Sequence, residues 1–521
     1  MTSLDHDLAS MQEARELAIA AHRAQKLFAA FDQASVDRVC EAMAEEAYRQ
    51  AGRLGLMAHE ETGYGIPEHK RLKNEFASRG VWERVKHEPT VGVIERDESR
   101  GLIKIGWPMG VVAALSPSTN PTSTVIYKTI ISAKARNGIV HAPHPSAVAC
   151  CGEAVRVMAE AGMAAGMPEG LVSSMTKVTL EGTGELMKHR EVAVILATGG
   201  TPMVRAAHSA GKPAYGVGPG NVPCYVDRSA DIQRAASYIV SSKAFDNSVI
   251  CATEQAVVAD RPIAARLAAE MEALGAHFVD EEQARALALV LFDERGGFNA
   301  RSVGQTPQKL ALMAGISVPD DARILMARLD GVGPGVPLSR EKLTTVLGWY
   351  EVDGWEEGCR RSLELLAFGG EGHTQIIHAS DSDVIMRFGL EKPAFRVLVN
   401  TMGTLGAIGL TTGLAPAFTL APGGIGGAIT GDNITVRHLL NVKHLAGEIC
   451  APPPAAMAPG VRATTASAGG LPESPAEPRA SASVALPEVV DSGSPAGGGS
   501  GANIDELISQ IVQEIRGATA R

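Results

Sequence analysis

Residues Met109 to Pro143 read "MGVVAALSPSTNPTSTVIYKTIISAKARNGIVHAP". The run "MGVVAALSP" is a short, continuous apolar segment of the kind that forms a buried strand. "TSTVIYKTIISAKARNG" has the length and spacing of a helix, and "GIVHAP" is a second buried-strand run. The rhythm repeats downstream. "SAVACCGEAVRVMAEAG" reads as a helix, "VAVILATGG" as a third strand and "TPMVRAAHSAG" as a helix after it. Short apolar runs alternating with helices specify an α/β fold with a parallel sheet, and ligands on such sheets sit at the carboxyl ends of the strands. The loop "SPSTNPTST" with Asn120, the turn "HAPHPSA" and the turn "TGGTP" all fall there.

Working outward, residues from about 5 to 85 read as amphipathic helices, and "TVGVIERDESRGLIKIGWP" reads as a hairpin around a charged turn. A second α/β region follows a boundary near Lys243, with "HFVDEEQARALALVLF" and "RSLELLAFGGEGHTQIIHA". The expected units are therefore 1–242, carrying the hairpin at about 90–107, and 243–450. The uncharged run Val397–Gly431 is broken by many glycines and by Pro416 and Pro422, so it reads as buried loops and strands rather than a membrane span. From Ala451 the chain turns rich in Pro, Ala, Ser and Gly with no aromatic residue, which specifies a flexible linker over 451–502. The end, "NIDELISQIVQEIRGATAR", puts Ile504, Leu507, Ile508, Ile511, Val512 and Ile515 on one stripe of a helix over 503–521. Alone in water such a helix is marginal, so it is expected to fold against a partner.

Composition excludes several classes. A net charge of −10 with no basic patch argues against a nucleic-acid partner. The N-terminus is charged throughout, with no apolar signal core, and no membrane partner is expected. The seven cysteines are scattered and lack a CxxC pair, which fits a reduced, cytoplasmic protein without a cysteine metal site.

One cysteine stands out by its neighbours. In "FDNSVICATEQAVV", Phe245–Val258, Cys251 lies between a polar turn and a β-type run. Taken alone, a free cysteine is more often a small packed hydrophobe than a nucleophile. Asn120, in its Ser/Thr/Pro loop, reads alone as a turn former. A side-chain amide and a backbone N–H aimed at one oxygen would, however, make an oxyanion hole.

In order along the chain, "WPMGVVAALSPSTNP", "LATGGTPMVRAAHSAG", "FDNSVICATEQ" and "LSREKLTTVL" resemble the aldehyde dehydrogenase superfamily over roughly residues 10 to 447. The resemblance implies two α/β domains with parallel sheets and an oligomerisation arm built from the hairpin and "NITVRHLLNV", hence a homodimer or homotetramer. It implies Cys251 as nucleophile and Asn120 as oxyanion donor. It further implies cofactor contacts at His144, Pro145, Thr198, Gly199, Gly200, Gly218 and Glu341, with NAD favoured and NADP open. There is no GxGxxG fingerprint to carry that expectation independently. Two departures are informative. Gly216, in "YGVGPGNVP", stands where hydrolytic members carry the glutamate that activates water, and His144 replaces a ribose-contacting lysine. Both match the coenzyme A-acylating branch, as does "FGGEGHT" with His373. His373 is expected either to assist the cysteine or coenzyme A thiol or to be structural.

The expectation is a short-chain aldehyde oxidised to acyl-CoA through a cysteine thioester. The tethered helix resembles encapsulation peptides, implying a shell or cargo partner for 503–517 and a place inside a bacterial microcompartment. Two alternatives stand beside this: an acid-forming dehydrogenase in which Glu254 replaces the missing base, and a catalytically silent cargo or scaffold protein.

Overall fold

The computed structural model describes residues 5–293, 296–458 and 460. Among these, the strands form three sheets. The strand Val111–Ser116 lies at the centre of the first, a parallel five-stranded sheet. Gly138–Pro143 and Val172–Ser174 lie to one side, with Val192–Thr198 and Ala214–Val217 on the other. Strand periodicity decides its packing: Val112 and Ala114 face one core with the helices Gln33–Arg49, Pro121–Lys134 and Val148–Ala164. Val111, Ala113 and Leu115 face the other, against Ala14, Ala18 and Ala21 of the helix His6–Phe28. Alanine on both sides lets helix and sheet approach closely, which is how a chain with only 4% aromatics fills its core.

The helix Pro121–Lys134 is buried along its whole length, including two lysines. Lys128 is fully buried and donates to the carbonyls of Leu115 and Leu196 at 2.7 and 2.9 Å, tying the helix to two strands.

The second sheet has seven parallel strands in the order Ala276–Val279, Ile324–Arg328, Val346–Val352, Glu254–Asp260, Val222–Val226, Gln375–His378, Val397–Val399. Val222–Val226 pairs with Glu254–Asp260, so sheet membership changes at Gly218–Asn221, earlier in the chain than the expected boundary near Lys243. The apolar run of this strand resembles those before it, and a strand's periodicity says nothing about which sheet it joins. The run from Val397 to Gly431 is one strand, the short helix Gly403–Ala407 and loops. Thr404, Ala417, Phe418 and Leu420 of this run are buried, in keeping with the sequence reading.

The third sheet is the arm. Gly92–Asp97 and Leu102–Pro108 form the expected hairpin around Glu98–Arg100, and Leu440–Ala446 adds antiparallel to Leu102–Pro108. Val436–Leu439 is a single tight turn, so the strand starts later than "NITVRHLLNV" suggested. Trp107, Val442 and Leu445 are exposed on this arm. No described helix is long and apolar enough to cross a membrane. The expected helix over 503–521 lies outside the described residues, as does the linker apart from 451–458 and 460.

Candidate active site

Cys251 follows a backbone that few sequences tolerate. Asp246, Asn247 and Ser248 have φ of 48°, 50° and 67° in succession, three side-chain-bearing residues in the left-handed region. Each costs roughly 1–3 kcal/mol, less for Asp and Asn than for Ser, unless its surroundings hold it. The surroundings do. The Asp246 carboxylate accepts from Lys70 Nζ at 3.2 Å, from Lys73 Nζ and from the Ile66 N–H at 2.6 Å. Asn247 donates to the Gly304 carbonyl at 2.9 Å. The Asp246 N–H donates to His69, whose ring stacks on Phe245 with centroids 4.5 Å apart. The turn thus presents Cys251 half-buried at the head of the strand Glu254–Asp260.

Asn120 caps the helix Pro121–Lys134 just beyond the strand Val111–Ser116. Its Nδ2 donates to the Val249 carbonyl at 3.0 Å, two residues before the cysteine, and to the Thr119 hydroxyl at 3.2 Å. Gly220 is the hinge of the other half of the site. A Cβ there would lie 2.6 Å from the Cys251 carbonyl oxygen and 2.9 Å from the His373 ring, so only glycine allows these to meet. The Gly220 N–H donates to Glu341 Oε1 at 3.0 Å. Cys251, Asn120, His373 and Glu341, dispersed over 254 positions of sequence, are therefore brought together.

Electrostatics assign their protonation. Burial pushes the Cys251 thiol up to about 12, Glu341 adds to this, and Arg396 and the N–H groups of Cys251 and Ala252 oppose it. Burial raises the Glu341 carboxyl to about 7. His373 is fully buried, and burial followed by Arg396 holds its imidazole well below the ordinary range, hence neutral. Its Nδ1 meets the Thr374 hydroxyl at 2.9 Å, while Nε2 has no partner among the described residues. Alkylation of Cys251 by iodoacetamide in the ligand-free protein is therefore expected to speed up about tenfold per pH unit from 7 to 9, the behaviour of a thiol still protonated there. A plateau in that interval, read by mass spectrometry of the alkylated peptide, would mean a thiolate already stabilised.

Arg396 was not legible as a site residue. Its guanidinium is buried and donates to the carbonyls of Gly431 and Ala421 at 3.0 and 2.8 Å, which keeps a positive charge next to the cysteine and histidine. In "EKPAFRVLVN" it sits as a single arginine before a strand, with no local signal. Lys70, Lys73 and Asp246 were missed likewise.

The remaining expected residues lie along the carboxyl edge of the five-stranded sheet. His144 and Pro145 form the turn after Gly138–Pro143, where His144 Nδ1 meets the Ser146 hydroxyl at 2.8 Å. Thr198 ends its strand with its hydroxyl 3.2 Å from that of Thr419. Gly199 and Gly200 lead into the helix Thr201–His208, which has no side-chain cap. Pro202 has no N–H and the Met203 N–H returns to the Gly200 carbonyl at 3.0 Å, which leaves Thr201 as the donor an anion would meet. Gly218 has nothing within 4 Å of where a Cβ would be, so the loop that crosses between the two sheets is open there. An uncapped helix start, a glycine edge open to solvent and a carboxylate held by a backbone N–H fit a nicotinamide dinucleotide. No hydrogen bond among the described residues links His144 or Thr198 to the Cys251 group.

Gly216 is enclosed. A Cβ there would lie 2.6 Å from His208 Nε2 and 2.7 Å from Val204, both on the helix Thr201–His208. A longer side chain at Gly216 would need the His208 and Val204 side chains to move aside. Glu254 is fully buried and accepts from the Gly403 N–H at 2.8 Å. Burial raises its carboxyl to about 7, beside Ser242 and Lys243, and the carboxylate that acts on Cys251 is Glu341.

The aldehyde dehydrogenase family profile matches residues 4–281. Aldehyde-alcohol dehydrogenase 2 of Entamoeba histolytica is 40% identical over 425 residues, 80% of this chain and 49% of that protein, so the chain spans about half the length of such relatives. The crystal structure of an acetylating aldehyde dehydrogenase from Geobacillus thermoglucosidasius is 47% identical, with a TM-score of 0.85 over 87% of this chain and 100% of the other. That of Rhodopseudomonas palustris propionaldehyde dehydrogenase, solved with bound CoA and an acylated cysteine, is 26% identical with a TM-score of 0.76, over 83% and 97%. The chain belongs to the aldehyde dehydrogenase family.

Proposed function

We propose that this protein is a coenzyme A-acylating aldehyde dehydrogenase that converts a short-chain aldehyde to its acyl-CoA. The observation that carries the reading is the convergence of Asn120 and His373 on the Cys251 segment, together with Gly216 at the position that the resemblance gives to the water-activating glutamate. Cys251 sulfur attacks the aldehyde carbonyl, and the thiol proton leaves through the neutral His373 imidazole or solvent. The oxyanion is held by the Asn120 amide and the Cys251 N–H, as for other acyl transfers. A nicotinamide cofactor, NAD by family habit with NADP as the alternative, supplies the hydride acceptor when bound, and the residues that would hold it are Thr201 with Gly199 and Gly200, Gly218, His144, Pro145 and Glu341. Cys251 is left as a thioester, which persists without an activated water until the thiolate of coenzyme A attacks it and the acyl group departs.

The acid-forming alternative needs Glu254 as base; its Oε1 accepts from the Gly403 N–H at 2.8 Å, while Oε2 has no partner among the described residues. Expected with propionaldehyde and NAD+ is turnover that requires CoA, with propionyl-CoA as product. Sustained propionate formation without CoA, measured by chromatography, would favour the acid-forming reading.

The oligomeric and cellular context belongs to the same proposal: a homodimer or homotetramer through the arm, in the cytoplasm within a bacterial microcompartment, with residues 503–517 docking on a shell or cargo protein. The linker composition and the single apolar stripe support it. Deleting residues 451–521 is expected to leave kcat within about twofold of the full chain and to abolish co-sedimentation with shells. Lost turnover would instead make the tail structural.

A further inference from the structure

The helix Pro67–Glu75 carries two lysines that the reaction as described leaves without a task. Lys70 and Lys73 are each 2% exposed, an unusual state for a side chain that normally keeps its ammonium in water. Both converge on Asp246, itself fully buried and five positions before the nucleophile. The approach of Asp246 is built in from the other side. Gly65, with φ of 71°, passes so close that a Cβ there would lie 2.0 Å from the carboxylate. This is an anchored ammonium cluster, and its outward member touches the site: Lys73 Nζ donates to Asn120 Oδ1 at 2.5 Å.

An ammonium only donates, so the Asn120 atom that faces Lys73 is the oxygen. The opposite edge of the amide, Nδ2, then faces the nucleophile segment, where Val249 takes one hydrogen at 3.0 Å. The second hydrogen has only the weaker Thr119 contact at 3.2 Å and is the one available to a substrate oxygen. A positive charge on the amide oxygen also polarises the N–H groups and makes them stronger donors.

We propose that Lys73, anchored by Asp246, is a positioning residue that fixes and polarises the Asn120 amide so that its N–H edge meets the aldehyde oxygen. The inference rests on the oxyanion role proposed for Asn120. Burial lowers the Lys73 ammonium to about 8 against the pull of Asp246, so a group that is costly to keep charged is nonetheless held at this spot.

The test is a cycle of Lys73→Met, Asn120→Ala and the double variant in the full-length protein. The readout is the single-turnover burst of NADH with propionaldehyde and saturating NAD+, without CoA. Each single variant is expected to slow the burst at least tenfold with the KM for NAD+ changed less than twofold. The double variant is expected to be within twofold of Asn120→Ala alone, because Lys73 acts only through that amide. Lys73→Arg, which keeps both donors, should recover most of the rate. An unimpaired Lys73→Met, or losses that multiply in the double variant, would overturn the inference while leaving the oxyanion role intact. An unimpaired Asn120→Ala would overturn both. If Lys73→Met does not fold, Lys73→Gln, which shortens the reach and removes the charge, enters the same cycle with the same outcomes.

Discussion

Cys251→Ala is expected to abolish acyl-CoA formation, by on the order of 10⁴-fold or more, while the protein keeps its fold. Removing the nucleophile removes the covalent path altogether, and enzymes built around one nucleophile lose activity on this scale. The side chain is half-buried, and Cys→Ala deletes one sulfur, so the thermal transition should move little. The control is informative because the other six cysteines persist, five of them buried. A variant that turns over propionaldehyde at more than a hundredth of the parent rate would mean that another group, or none, carries the chemistry. A variant that loses its thermal transition would mean that Cys251 matters for packing.

Asn120→Ala is expected to lower kcat by about 10²–10³-fold, the usual consequence of removing one donor from an oxyanion site. The loss should appear in thioester formation and in the attack of coenzyme A alike, since both pass through a tetrahedral oxyanion on the same carbon. It should not appear as weaker cofactor binding. Stopped-flow rates of the two half-reactions separate these outcomes. An effect confined to KM for NAD+ would assign Asn120 to the cofactor instead. The substitution also removes an N-cap side chain, but no cap bond is made by that amide, so the cost to the helix Pro121–Lys134 should be small.

What could be read from the residues follows from how local their signals are. The strand Val111–Ser116 and the helix after it are adjacent, apolar in the right periods and opened by Pro121, so both were legible, and Asn120 at their junction with them. Cys251 stood out between a polar turn and a β run, but its role as nucleophile came from the resemblance of "FDNSVICATEQ" to the family's segment. The left-handed run Asp246–Ser248 was readable only as a turn, because its φ values are imposed by Lys70, Lys73, Ile66 and Gly304, which lie far away in sequence. The helix Pro67–Glu75, "PEHKRLKNE", carries so many charges that its sequence describes a solvated surface, whereas both its lysines are buried by tertiary contacts. Arg396 is invisible for the same reason: its partners are backbone carbonyls of a loop that begins more than twenty residues later. Gly216 and Gly220 look alike in "YGVGPGNVP", and only the packing separates a glycine crowded by a helix from one that lets a cysteine carbonyl and a histidine ring touch.

The hydrolysis question turns on the same distinction. A side chain at Gly216 would first have to displace those of His208 and Val204. Burial pushes the Cys251 thiol up to about 12, so in the ligand-free site the sulfur is held protonated beside a neutral His373 that can take its proton.

The most direct test is intact and peptide mass spectrometry of the full-length protein mixed with propionaldehyde and NAD+, quenched in acid before any CoA is added. The expected result is a propionyl group of about 56 Da, the mass set by the thioester chemistry alone, on the peptide that contains Cys251, lost within one turnover when CoA is supplied. Reduced cofactor accumulating past one equivalent, with no acyl mass on that peptide, would contradict the account.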